Sequence, residues 1–166
     1  MTKVLAGITT SIDGYITGPR DGPGQGLGEG GERLHYWVFG GPWTYEAAGH
    51  WGDENPWGLP FFIVTHQPEE QPESGAFTFV SGVTEAIDQA VGAAGDKDVH
   101  VMGGADVIRQ ALAAGLVDEL TIIVAPVILG GGKRLFDGFS SSLDLEHLGV
   151  RQSHYATFID YRVKRT

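Results

Sequence analysis

Residues 98–136 decide the fold: DVHVMGGADVIRQALAAGLVDELTIIVAPVILGGGKRLF. An apolar strand leads into Gly103-Gly104, and a helix with apolar residues at helical spacing is predicted to start at about Ala105. Gly115 supplies a left-handed C-cap for that helix. A second strand, apolar and β-branched as expected of a strand covered on both faces, is predicted over about 120–129. The stretch therefore predicts a β-α-β unit.

The glycines of this unit have two interpretations. A strand that ends in glycines at a helix N-terminus can bind a phosphate, because the backbone is accessible and free N–H groups point outward. Gly103-Gly104 is also expected of a tight turn that packs strand against helix. Gly130-Gly131-Gly132 follows the next strand, and parallel neighbours would bring both clusters to one sheet edge. Together they favour a dinucleotide site, although Asp106 competes with an anion unless its carboxylate turns aside.

Composition excludes several classes of protein. A chain of 166 residues suits a single domain, here 1–166, and its net charge of −10 argues against nucleic-acid or membrane-surface partners. No apolar run approaches the roughly 20 residues of a membrane span, so cytoplasm is the default expectation. Without cysteine there are no disulfides, thiol nucleophiles or zinc-deaminase signature. The six histidines show no metal-ligand spacing, and no metal is predicted.

The rest of the chain predicts alternating strands and helices followed by a hairpin. Strands are predicted over 3–9, 61–65 and 77–80, a helix capped by Thr84 over 84–94, and hairpin arms over 143–148 and 157–163. The glycine-rich segment 18–32 is either a mobile lid or an uninvolved loop. Residues 33–57 hold an aromatic block whose start is either a short helix or a strand. The predicted class is three-layer α/β, with a mostly parallel central sheet and an antiparallel C-terminal hairpin.

These motifs, in this order, resemble the dihydrofolate reductase-like superfamily. The resemblance is carried by Ser11-Ile12-Asp13-Gly14, Val101-Met102-Gly103-Gly104-Ala105, residues 115–120, Pro126, the triple glycine and Leu135-Phe136. More narrowly, the chain is similar to the C-terminal reductase domain of bifunctional riboflavin biosynthesis enzymes and to its stand-alone bacterial relatives. The resemblance implies a homodimeric reductase that transfers hydride from NADPH to a small heterocyclic substrate. Its first candidate substrate is 5-amino-6-(5-phosphoribosylamino)uracil.

The resemblance also implies the site residues. Gly103, Gly104 and Ala105 would carry the cofactor pyrophosphate, next to Met102 and above Val107 and Ile108. Gly41 and Thr44 would hold the phosphates from the other side, and the adenosine ribose would meet Thr65, His66 and Gln67. The nicotinamide would be lined by Ala6, Ile16 and Thr17. Asp13 is the candidate catalytic residue, as substrate anchor or proton relay, with a turn-capping role as its alternative.

Two departures from the family pattern keep alternatives open. The turn Gly41-Pro42-Trp43-Thr44 and the strand-end Thr65-His66-Gln67 lack an Arg or Lys for a 2′-phosphate, so NADH remains open beside NADPH. The connection from the first strand to Gly41 is also short. A dihydrofolate reductase proper would need a carboxylate there, for which Glu29 and Glu32 are the candidates. A non-catalytic nucleotide-binding protein that kept the fold is the hypothesis from another class.

Overall fold

The computed structural model describes residues 1–41, 58–69, 71 and 77–165. In this part of the chain the elements are β1 (Val4–Thr10), a 3₁₀ helix (Gly31–His35), α1 (Tyr36–Phe39), β2 (Phe61–Val64), β3 (Phe77–Val80), α2 (Val83–Ala94), β4 (Val99–Val101), α3 (Ala105–Ala113), β5 (Glu119–Val124), β6 (Leu145–Gln152) and β7 (Thr157–Val163).

The central sheet has the order β4-β1-β5-β7-β6. β1 pairs in parallel with both β4 and β5, and β7 pairs antiparallel with β5 and β6. The predicted α/β class, with its antiparallel C-terminal hairpin, is thereby confirmed. β2 and β3 form a separate two-stranded parallel sheet. α2 connects β3 of this sheet to β4 of the central sheet.

Helices cover both faces of the central sheet. Apolar residues of α2 and α3 pack on one face in a core with β4, β1 and β5, and Ile108 in its centre is 0% exposed. The 3₁₀ helix buries Leu34 completely. Next to it Trp37 donates from Nε1 to Thr9 Oγ1 at 3.0 Å and packs edge-on against Phe158. Because alternate residues of a strand face opposite sides, Thr9 and the core residues of β1 mark two different faces.

α3 follows its local sequence signals closely. It begins at Ala105 as predicted, and Gly115 has a φ of 67°. The Gly115 N–H donates to Leu112 O at 3.1 Å and the Leu116 N–H donates to Ala111 O at 3.0 Å. This pair of bonds is a Schellman motif, which satisfies the last carbonyls of the helix.

Other predicted boundaries were wrong. β5 ends at Val124 rather than near 129, because Pro126 has no N–H to continue the ladder. α2 has Gly82 at its N-cap instead of Thr84, and its cap has no side-chain hydrogen bond. The first hairpin arm is longer and later, at Leu145–Gln152. At the start of the aromatic block residues 36–39 are helical, and residues 42–57 lie outside the described residues.

β1 extends further than its neighbour β4, which leaves a step at one end of the sheet. β4 stops where Val101 pairs with Ala6, but β1 continues to Thr10, which pairs with Val124 of β5. Beyond Ala6, β1 therefore has no strand partner on its β4 side among the described residues. The chain after β4 turns into α3 at this step, which is the carboxyl edge where α/β folds place ligands.

Candidate functional site

The first part of the site is the backbone between β4 and α3. Gly104 is the N-cap of α3 and makes no side-chain cap, and Gly103 has a φ of 130°, which favours glycine. The peptide bond between them is cis. Nothing lies within 4 Å of a Cβ built on either glycine. No acceptor among the described residues binds the N–H groups of Ala105 and Asp106. We call residues 103–106 the cradle: an open helix N-terminus with free donors.

Asp106 does not block the cradle. One of its carboxylate oxygens accepts from Arg109 Nη2 at 3.3 Å and the other from Gln110 Nε2 at 2.6 Å. Both partners lie one turn further along α3, so the negative charge is turned away from the free N–H groups. The partial positive charge of the helix N-terminus thus remains available to an anion.

Asp13 holds two loops together. Its carboxylate accepts from the backbone N–H of Leu129 at 3.1 Å and from that of Gly130 at 2.8 Å. A hydrogen bond from the Ser11 side chain is the largest cause that lowers the pKa of Asp13 to about 2; burial opposes it, and the two amides add to it. A group that stays ionised at neutral pH is a poor proton donor. Its position gives Asp13 a structural role, and a catalytic role stays a prediction.

The hydrogen bonds that Asp13 accepts from Leu129 and Gly130 predict that the stability of the protein depends on pH. Because the folded-state pKa lies below the ordinary 3.8, the contribution of Asp13 is present above that value and is lost as the pH falls toward about 2. We expect Asp13→Ala to lower the urea midpoint at neutral pH, and the gap from wild type to shrink as the pH falls from about 4 to about 2. Asp137→Ala is the control, since that carboxylate has no partner among the described residues. A difference in urea midpoint that stays constant with pH would contradict a stabilising role of the ionised Asp13.

The triple glycine has a packing role rather than the predicted ligand-binding one. A Cβ on Gly132 would lie 2.0 Å from the backbone oxygen of Thr17, and one on Gly131 would lie 3.2 Å from Pro19. Ile16 N–H donates to Lys133 O at 2.7 Å, and Thr17 Oγ1 accepts from the Lys133 N–H at 3.0 Å. The loops that follow β1 and β5 therefore pack backbone to backbone, where only glycine fits.

The predicted nicotinamide and pyrophosphate residues do not all reach the surface. Ala6 is 1% exposed and Ile108 is 0% exposed, so both side chains belong to the core, and their contact with the cofactor stays a prediction. Thr17 is buried with its hydroxyl bonded to Lys133. Ile16 and Val107 are half-buried, whereas Met102, beside the cradle, is 68% exposed.

The predicted adenosine residues lie at the carboxyl end of β2. Thr65 N–H donates to Val80 O at 2.9 Å, and Thr65 Oγ1 accepts from the Gln67 N–H at 3.2 Å. His66 and Gln67 are exposed. Gly41 is buried, with a Cβ position 3.3 Å from the Tyr155 hydroxyl, and Thr44 lies outside the described residues. The strand-end therefore presents polar, solvent-facing groups.

Sequence reasoning missed a cleft of 340 Å³ beside the loop after β5. It is lined by Thr10, Gly14, Ile122, Arg134, Leu135, Phe136 and Asp137. The Arg134 guanidinium stacks 4.5 Å above the Tyr15 ring and donates to the Tyr15 hydroxyl. Arg109 of α3 donates to the backbone oxygens of Leu135 and Asp137, which places the cleft next to the helix that carries the cradle. A larger cleft of 590 Å³ lies at the opposite, amino edge among ion-paired residues such as Lys3 and Glu119.

The α/β fold, with the sheet order β4-β1-β5-β7-β6 and an open helix N-terminus at the carboxyl edge, is of the dihydrofolate reductase-like class. A model of the RibD C-terminal domain matches residues 59–157, and the chain belongs to that family. Its fold matches those of a candidate riboflavin biosynthesis protein from Shewanella sp. PV-4 (21% identity, TM-score 0.71, 99% of this chain and 100% of that one) and of the dihydrofolate reductase of Enterococcus faecalis complexed with NADP(H) (18% identity, TM-score 0.61, 98% and 97%).

Among curated proteins, the chain is similar to the uncharacterised YyaP of Bacillus subtilis, with 38% identity over 55 residues. That alignment covers 33% of this chain and 29% of YyaP. Within the described residues, no helix is long and apolar enough to cross a membrane.

Proposed function

We propose that the protein is a nicotinamide-dependent reductase that transfers hydride to a small heterocyclic substrate. The observation that carries this proposal is the cradle, which lies inside the segment matched by a reductase-type domain family. Its open glycines and free N–H groups fit a pyrophosphate, which is the central anion of a dinucleotide. When bound, the nicotinamide would supply the hydride, and the protein would supply binding, orientation and a dry site.

The other residues would act around the cradle. Thr65, His66 and Gln67 would meet the adenosine end, and the cleft lined by Thr10 and Arg134 would take the substrate. Asp13 would act as a positioning residue, because its carboxylate fixes the loop after β5 that borders this cleft. The first candidate substrate is 5-amino-6-(5-phosphoribosylamino)uracil. A homodimer, which the family resemblance implies, and a cytoplasmic location, which is the default expectation, belong to the same proposal.

Dihydrofolate reduction is the weaker candidate. Of the two carboxylates that could bind a pteridine ring, Glu29 is in an ion pair with Arg20. That leaves Glu32, which is half-buried in the 3₁₀ helix. Dihydrofolate therefore serves as the comparison substrate in tests of activity.

Binding is the direct test of the proposal. Trp37 lies against β1, and the chain has three further tryptophans at 43, 51 and 57, so a reduced dinucleotide bound at this edge is expected to quench tryptophan emission. Oxidation of the reduced nicotinamide is then followed with the pyrimidine substrate and with dihydrofolate. Unchanged emission with both NADH and NADPH up to about 1 mM, an affinity of roughly −4 kcal/mol, would reject the proposal. Quenching without turnover on any substrate would favour the non-catalytic alternative.

A further inference from the structure

The segment that would hold the adenosine end carries no fixed positive charge. Residues 34–96 contain no Lys or Arg but nine acidic residues: Glu46, Asp53, Glu54, Glu69, Glu70, Glu73, Glu85, Asp88 and Asp96. The segment includes β2, β3 and α2. The only basic side chains in its sequence are those of three histidines, at positions 35, 50 and 66. An additional phosphate bound by this segment would therefore find no Lys or Arg in it, and the segment as a whole carries a net negative charge.

The Lys and Arg residues of the chain lie outside this segment, and most of them are paired with carboxylates. All eleven Lys and Arg lie in the described residues, and seven are paired with carboxylates: Lys3, Arg20, Arg109, Lys133, Arg151, Arg162 and Arg165. Of the others, Lys97 precedes β4 and Lys164 follows β7, which places both at the amino edge of the sheet. Arg33 bonds to Gly30 O, and Arg134 bonds to Tyr15 beyond β5. None belongs to β2, β3 or α2.

We infer that the adenosine end of the site takes an unphosphorylated ribose, so that the cofactor is NADH rather than NADPH. The inference rests on the proposed function and departs from the NADPH expected from the family resemblance. A 2′-phosphate is normally held by an Arg or Lys through charge-assisted hydrogen bonds, whereas an acidic residue selects the 2′-hydroxyl in dinucleotide sites. Here the strand-end continues from His66 and Gln67 to the exposed Glu69. The side-chain amide of Gln67 can form a hydrogen bond with a hydroxyl, and the carboxylate of Glu69 would repel a phosphate.

Calorimetric titration of the whole protein with NADH and with NADPH tests the inference through binding alone. At about pH 8, where histidines are ordinarily neutral, and at low salt, NADH is expected to bind about tenfold or more tightly. Raising the ionic strength to about 0.5 M should narrow the gap, because the repulsion is screened. Equal or tighter binding of NADPH would overturn the inference and leave the reductase proposal standing. Binding of neither would overturn both.

A gain-of-function variant locates the 2′ position. Gln67→Arg adds a cation at the strand-end and is expected to raise the affinity for NADPH about tenfold relative to that for NADH. Gln89→Arg makes the same change on the exposed side of α2 and is expected to alter neither affinity. If Gln67→Arg leaves NADPH binding unchanged, the adenosine does not lie at the end of β2, and the stated cause of the preference is wrong.

Discussion

Gly104→Asp is expected to abolish binding of the reduced dinucleotide without unfolding the protein. The backbone of Gly104 is extended, with φ −76° and ψ −170°, and nothing lies within 4 Å of its Cβ position, so a side chain fits. Aspartate is a favoured N-cap residue, so its carboxylate would accept from the same first-turn N–H groups that a pyrophosphate needs. The new negative charge would also repel the ligand. We expect an affinity loss of about 100-fold or more, with an unchanged or raised melting temperature.

Two control variants separate charge from competition for the N–H groups. Gly104→Asn caps the helix comparably but adds no charge, so its affinity should fall between wild type and Gly104→Asp. Gly92→Asp adds the same charge on α2, where nothing lies within 4 Å of the new Cβ, and should leave binding unchanged. Fluorescence titration and thermal unfolding of all four proteins check the set. An affinity of Gly104→Asp within about threefold of wild type would place the dinucleotide elsewhere.

The parts of the fold that could be predicted are those with local signals. α3 was placed correctly because Gly115 and Leu116 encode its end within a few residues. β5 was overextended because its apolar run continues past Val124, although Pro126 already removes a ladder donor. Residue type alone predicts a cap at Thr84, whereas the N-cap of α2 lies two residues earlier at Gly82. Local sequence patterns therefore predict which helices and strands are present. Where each one ends depends on the hydrogen-bond partners of its terminal backbone groups.

The site was harder to predict because its contacts are long-range. Helical spacing marks Ile108 as part of an apolar face, but only packing shows that its side chain is completely buried. The position of Arg134 in the cleft has no local sequence signal, because its partner Tyr15 lies 119 residues earlier in the chain. Asp13 was singled out for its chemistry, yet its two backbone partners are loop residues more than a hundred positions away.

The triple glycine shows the same limitation and gives a prediction with a large effect on stability. A missing Cβ leaves room either for a ligand, as proposed at Gly104, or for the chain itself, as at Gly132. Gly132→Ala would bring a Cβ to 2.0 Å from Thr17 O at a φ of 124°, so strain and overpacking add. We expect the free energy of unfolding to fall by about 3 kcal/mol or more, measured by urea denaturation.

Gly130→Ala is the matched control for this prediction, two residues away in the same loop. Its φ of 74° is also left-handed, but nothing lies within 4 Å of its Cβ position, so it isolates the cost of backbone strain, about 1 kcal/mol. The difference between the two variants then measures the close approach of the loops after β1 and β5. Equal destabilisation by both substitutions would mean that the contact with Thr17 is easily relieved. A larger loss for Gly132→Ala would show that the space at Gly132 is filled by the backbone at Thr17, so that no side chain fits there.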